Sequence, residues 1–294
     1  MDSPVSSPSL PPELEREIFE LAAYCRPVSV PTLMLVAWRV HGWVKHLLLR
    51  VVLLIGDSHS REGGLWGARS YPYPSHSPIS TRIPIIKECV RHLFLSGVFN
   101  DTSRHHLSAA TNVEDLWLST DATTGLREIV GSLRLRRLAC DLQQIFETHR
   151  YSIDFTLPVF SRLTHLELFD RNLPPDFICG LGRIPNLTHL AFGDPDLRSK
   201  VPVILDACKL LRVLIYLEDA DADSDTAMGE FAQRPTETRF VWMSCVRYIK
   251  DWQMGALTGA DYWARAEDFV RKRNLREVDD GIFWIEEDDS LELP

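Results

Sequence analysis

A six-residue pattern, Leu-x-x-Leu-x-Leu, recurs along the middle of this chain and limits what it can fold into. Leu163-Thr-His-Leu-Glu-Leu168 returns as Leu187-Thr-His-Leu-Ala-Phe192. Looser copies begin at Val90, Val113, Leu135 and Leu211. The fourth-position residues Leu93, Leu116, Leu138, Leu166, Leu190 and Leu214 are separated by 23, 22, 28, 24 and 24 residues. Each copy reads as a strand of alternating inward and outward side chains. One such unit cannot bury its apolar side alone, so the copies must stack against one another. Between the two clearest copies, Pro174-Pro175 opens a short apolar stretch with Phe177, Ile178 and Leu181, and Gly182 closes it. That predicts a short helix over 174–182.

The spacing is that of the leucine-rich repeat. The expectation is an α/β chain with an irregular solenoid over 86–260. It is irregular because Arg171, Asp121 and Asp219 occupy positions where a regular repeat places Asn. Alternation along the strands assigns an outward, concave set: His92, Phe94, Asp115, Trp117, Arg137, His165, Glu167 and His189. These are the candidate target-binding residues, with Phe94 and Trp117 as aromatic anchors. The alternative is that the Gly/Ser/Pro-rich segment 56–85 folds over them.

Residues 1–9 are Ser/Pro-rich and read as disordered. Leu10-Pro11-Pro12 then starts a helix, with Glu13, Glu15 and Glu17 complementing its positive end. Leu14, Ile18, Leu21, Ala22 and Cys25 recur at helical spacing. Further helices are expected over 31–40 and 41–50, and a strand at Val51-Val-Leu-Leu-Ile55. The motifs L-P-P-E-L-x-x-E-I-F-x-L and L-x-L-V-A-W-R-V-H-G-W-V resemble the start of fungal F-box-like/leucine-rich-repeat proteins. The resemblance implies that residues 10–52 form a three-helix hook that binds the Skp adaptor of a cullin–RING ubiquitin ligase. By position, the docking residues would be Leu10, Pro11, Leu14, Ile18, Leu33 and Val36. The implied function is a non-enzymatic substrate receptor, with the repeat sheet holding a protein target. The alternative is a plain interaction scaffold in which the hook only covers the end of the solenoid.

Gly56-Asp57-Ser58 after an apolar strand matches the nucleophile block of GDSL-type hydrolases. The remaining blocks of that family are absent, and no histidine follows His189. A hydrolase using Ser58 is therefore the remote reading. Residues 218–225 form an acidic loop without the Gly and Glu of a calcium site. Residues 239–246 read as a strand, 261–272 as an amphipathic helix and 282–285 as an edge strand. The segment 261–294 is assigned as a C-terminal cap with an acidic tail.

A formal net charge of −9 argues against nucleic acid as a partner. No apolar run is long enough to span a bilayer. The six cysteines form no CxxC pair, which suits reduced thiols in the cytoplasm or nucleus. No cofactor and no metal site is expected. His165 and His189 would lie on neighbouring strands, but Glu167 is the only carboxylate nearby.

Overall fold

A computed structural model describes residues 10–55, 69–72, 87–97, 101–120, 126–146, 153–218, 237–244, 247–279 and 281–285. Helix α1 (Pro12–Cys25), α2 (Val30–Leu33) and α3 (Trp38–Val44) form the N-terminal module. Its small core contains Ala23, Val30, Val40 and Val44. A 3-10 turn over Lys45–Leu49 leads into β1 (Val51–Ile55). The two later helices expected at 31–40 and 41–50 take a different form. The segment splits at Met34–Ala37 because extended Ala37 interrupts it before α3.

The strands that follow are β2 (Arg69–Pro72), β3 (His92–Gly97), β4 (Asp115–Thr120), β5 (Arg137–Cys140) and β6 (His165–Leu168). Next come β7 (His189–Phe192), β8 (Val213–Glu218), β9 (Phe240–Ser244) and β10 (Trp284–Ile285). They form one ten-stranded sheet in the order β10-β9-β8-β7-β6-β5-β4-β3-β1-β2. Every pairing is parallel. Leu93, Leu116, Leu138, Leu166, Leu190 and Leu214 lie in register from strand to strand.

Connecting helices cover one face of this sheet: α4 (Asp101–Ala109), α5 (Leu126–Ser132), α6 (Leu142–Phe146), α7 (Pro175–Leu181) and α8 (Val201–Ala207). They pack on the marker leucines in a continuous core that runs from Val52 to Phe283. The opposite face is covered as well, by α9 (Tyr248–Thr258) and α10 (Tyr262–Asn274). Trp252 and Ala256 of α9 pack on Val51, Leu53, Ile55 and Phe94. Tyr262, Trp263, Ala266 and Val270 of α10 pack with Val213, Ile215, Val241 and Met243.

This arrangement overturns the expected leucine-rich-repeat solenoid with an open concave face and a C-terminal cap. The chain is an α/β protein built on one all-parallel sheet with helices on both faces. The physical reason lies in residues 247–274. They fold back across the sheet instead of closing its end, because that face offers continuous apolar surface at β1, β8 and β9. The expected boundary at 260/261 falls inside this helical pair. Part of the expected loop 56–85 is also strand, since β2 pairs with β1. Ser58, the acidic loop beyond Glu218 and the acidic tail lie outside the described residues.

The loops at the strand C-terminal ends are tied by aspartates two residues past the strand. Asp170, buried after β6, accepts from the backbone N–H of Leu142 (2.8 Å) and Gln143 (2.9 Å) at the start of α6. Asp194, after β7, accepts from Asn172 N (2.7 Å) and Asp196 N (3.1 Å). Asn172 has a positive φ of 56°, which Asn tolerates better than most residues. The tie expected from Asn side chains is thus made by Asp, one position earlier than the sequence reading placed it.

Candidate functional site

The first of the expected site residues lie on an exposed apolar stripe. Helix α1 turns Phe19 and Ala23 toward the module core and Leu14, Ile18 and Leu21 toward solvent. Leu14 is 49% and Ile18 55% exposed. Leu10 and Val36 are exposed too, Pro11 is exposed, and Leu33 is half-buried against the module core. Leu35 and Trp38 add to the surface at 85% and 87% exposure. Of the eleven large apolar side chains exposed among the described residues, eight lie between Leu10 and Trp38. Arg39 donates to both carboxylate oxygens of Glu15, at 2.9 and 2.6 Å, and fixes α3 against α1. Trp38 stacks on His41 with ring centroids 5.3 Å apart.

The residues expected to face a protein target have a different fate. Phe94 is 1% exposed, and Asp115, Glu167 and His189 are buried. His92, Trp117, Arg137 and His165 are half-buried. Among the described residues α9 and α10 lie over this face, and most of the segment 56–85 lies outside the described residues. Phe94 stacks on Trp117 at 3.9 Å and meets Trp252 edge-on at 5.3 Å. These eight side chains therefore form the buried seam between the sheet and α9–α10, and they are not available as an open binding face.

The seam is polar at its centre. Glu167 accepts hydrogen bonds from the hydroxyls of Tyr248 and Tyr262. Trp117 Nε1 donates to the Tyr248 hydroxyl at 2.8 Å. Arg137 Nη1 donates to Asp261 Oδ2 at 2.5 Å, while Asp261 Oδ1 caps α10 by accepting from Ala264 N. Asp251 accepts from Tyr262 N at 2.7 Å and from Arg265. Gly255 permits this approach: a Cβ there would sit 2.4 Å from Asp261 Oδ2. Gly259, at φ +82°, ends α9 in the left-handed conformation that lets the chain turn into α10.

Burial sets the charges of these groups. It pushes the Glu167 carboxyl up to about 7, against the lowering effect of the two tyrosine hydrogen bonds. Burial lowers His165 to about 2 and His189 to about 4, with neighbouring guanidinium groups acting in the same direction. Both imidazoles are neutral at pH 7. They stack face to face at 4.0 Å, and each Nδ1 lies 2.8 Å from the hydroxyl of the preceding threonine. Among the described residues no group of three His, Cys, Asp or Glu is placed to hold a metal ion. Cys89, Cys140 and Cys208 are raised by burial, which keeps them protonated and weakly nucleophilic. Among the described residues no helix is long and apolar enough to cross a membrane.

Sequence reasoning missed α9. The signal for a doubly covered sheet was present in the unbroken apolar runs Val51-Val-Leu-Leu-Ile55 and Val213-Leu-Ile-Tyr-Leu217, which alternate poorly because both faces are buried.

Taken together, the molecule is an all-parallel α/β sheet protein carrying an N-terminal helical module with an exposed apolar surface. No family model matches the chain. No curated protein matches it either. Among solved structures it is similar to ornithine carbamoyltransferase from Gloeobacter violaceus, at 10% identity and a TM-score of 0.23, over 83% of this chain and 91% of that one. It is similar to ornithine carbamoyltransferase from Pyrococcus furiosus at 10% identity and a TM-score of 0.21, over 86% and 94%. Likeness at that level carries no argument about activity.

Proposed function

We propose that this chain is a non-enzymatic docking protein whose N-terminal module seats in an apolar groove of a partner. The supporting observation is the concentration of exposed large apolar side chains between Leu10 and Trp38, on a module whose opposite side is packed. Large exposed apolar side chains gathered on one small module are the kind of surface that marks an interaction site. An amphipathic helix laid into a groove through i, i+4 anchors is a recurrent recognition mode, and Leu14 and Ile18 have that spacing. The partner implied by the sequence resemblance is the Skp adaptor of a cullin–RING ubiquitin ligase. The chain would then be the receptor subunit that brings a protein target to the ligase.

The test is a pull-down of the purified chain with the Skp adaptor, beside Leu14→Asp/Ile18→Asp. Both side chains are exposed, so the double variant keeps its fold. Capture of the parent chain and loss of capture by the variant supports the proposal. Failure of the folded parent chain to bind removes the adaptor from the reading.

A further inference from the structure

A cleft of about 700 Å³ opens where the strand N-terminal ends meet the N-terminal module and the last turn of α9. We infer that it binds an acidic peptide segment, laid across the strand ends with its carboxylates on a row of guanidinium groups.

The row follows from the register. Arg91 N donates to Arg50 O (3.0 Å), Glu114 N to Arg91 O (2.9 Å), Arg136 N to Glu114 O (2.7 Å) and Thr164 N to Arg136 O (2.9 Å). Arg50, Arg91, Glu114 and Arg136 therefore occupy the position just before four neighbouring strands, β1, β3, β4 and β5, about 4.8 Å apart. All four line the cleft. Three are cationic and one is anionic, on a chain whose formal net charge is −9.

The next row inward is already paired. His92 Nδ1 lies 3.1 Å from Asp115, and Arg137 is held by Asp261. The outer row is held more loosely. The Arg50 guanidinium lies over the Tyr24 ring at 5.2 Å, and Arg91 Nη1 donates to the backbone carbonyl of Asn112 at 3.1 Å. Neither is neutralised by an ion pair among the described residues. Arg136 reaches Glu114 only at 4.0 Å, with both side chains open to solvent. Glu88 also borders the cleft but is exposed. Guanidinium groups left in this condition favour a carboxylate or phosphate ligand, which they can bind in a fork.

The opposite wall selects between a peptide and a free anion. It is the C-terminal turn of α9, Gly255 to Gly259. The Gly255 carbonyl takes the Gly259 N–H at 2.8 Å. The carbonyls of Ala256, Leu257 and Thr258 are the orphan acceptors of a helix end. Such a wall repels a bare anion and accepts N–H donors. An acidic peptide satisfies both sides, with side-chain carboxylates on the arginine row and backbone N–H groups on the helix end. The row spans on the order of 14 Å, the length of about five extended residues.

This inference names the chemistry of the client for the receptor reading above, and rests on that reading only for its setting. Binding is measured on the full chain without adaptor, so a failed pull-down and a failed peptide titration are separate results. The probe is a fluorescein-labelled peptide of about six residues alternating Glu and Ala, compared with its Gln analogue. The expected result is saturable anisotropy for the Glu peptide, at least tenfold weaker binding of the Gln analogue, and weakening by added salt. Arg50→Gln/Arg91→Gln should lose about tenfold or more with an unchanged circular dichroism spectrum. Arg136→Gln, at an exposed position, gives the same reading if the double variant fails to fold. Equal binding of the two peptides, no binding, or parent-like binding by Arg136→Gln and the double variant would overturn the inference. So would binding of inorganic phosphate as tight as that of the peptide, since that marks a free-anion site.

Discussion

Trp117 on β4 donates its indole N–H to the hydroxyl of Tyr248 on α9, 2.8 Å away and 131 residues later in the chain. The same hydroxyl donates to Glu167 on β6. One tyrosine thus joins two strands to the helix that lies across them. Tyr248→Phe should keep the ring packing on Trp117 and remove both bonds, leaving Trp117 Nε1 without its partner and Glu167 with Tyr262 alone. The expected loss is about 1–3 kcal/mol. Urea unfolding measures it. A midpoint equal to that of the parent chain would mean that this network contributes nothing to holding α9 in place.

Glu167 makes stability depend on pH in a defined direction. Its folded-state carboxyl lies at about 7, above the ordinary 4.5, because it is buried. The folded chain therefore binds the proton more tightly than the unfolded chain. The contribution is fully present below about 4.5 and is lost as pH rises through about 7. Glu167→Gln keeps an acceptor for the two tyrosines and removes the titration. The difference in unfolding free energy between parent and variant should change by on the order of 3 kcal/mol between those limits. Denaturant titrations at a series of pH values give the result, and a constant difference would contradict it.

His165 and His189 act in the opposite sense. Both are lowered by burial, so the unfolded chain takes up protons that the folded chain refuses. Their contribution is present above the ordinary histidine value of 6.5 and is lost as pH falls toward their folded values. His165→Phe preserves a flat ring against His189 and below Trp263, which His165 meets edge-on at 5.2 Å. The Thr164 hydroxyl keeps a partner, since it donates to Arg136 O at 3.0 Å. The acid limb of the stability curve should become shallower by about 1.4 kcal/mol per pH unit, the slope of one proton. Thermal melts between neutral and acid pH test this, with an unaltered limb as the contrary outcome.

Asp194 carries the turn between β7 and the following helix. Its carboxylate satisfies two backbone N–H groups, including that of Asn172 in the neighbouring loop. Asp194→Ala should cost about 1–3 kcal/mol, because two donors lose their acceptor in a partly buried setting. Asp194→Asn restores one acceptor oxygen and should recover part of the loss. Hydrogen exchange at the Asn172 amide provides the local readout, and it should accelerate only in the alanine variant by a large factor.

Much of the strand framework was legible in the chain. The in-phase leucines place β3 to β8 correctly because the strand face turned to the connecting helices needs an apolar residue at every second position. Helix α7 follows from Pro174-Pro175 and Gly182, and α10 from Asp261 and its amphipathic face. The expected target surface was misplaced for a physical reason. Alternation states which residues leave the leucine core, but it does not state what covers them. His165, Glu167 and His189 look like solvent-facing residues until Trp263, Tyr248 and Tyr262 are seen above them.

The apolar stripe on α1 shows the converse. Leu14, Ile18 and Leu21 share one face by helical spacing alone, yet spacing cannot distinguish a face that packs inward from one left open. Local chemistry determined the elements: leucine period for strands, proline and aspartate for helix starts, glycine for their ends. Only the tertiary structure decided that α9 and α10 cross the sheet and that α1 presents its leucines outward. It alone set Arg50 beside Arg91 and Arg136, which already share a position in the repeat. Those outcomes depend on contacts between residues far apart in the chain, such as Trp117 with Tyr248 and Arg137 with Asp261, and no local pattern encodes them.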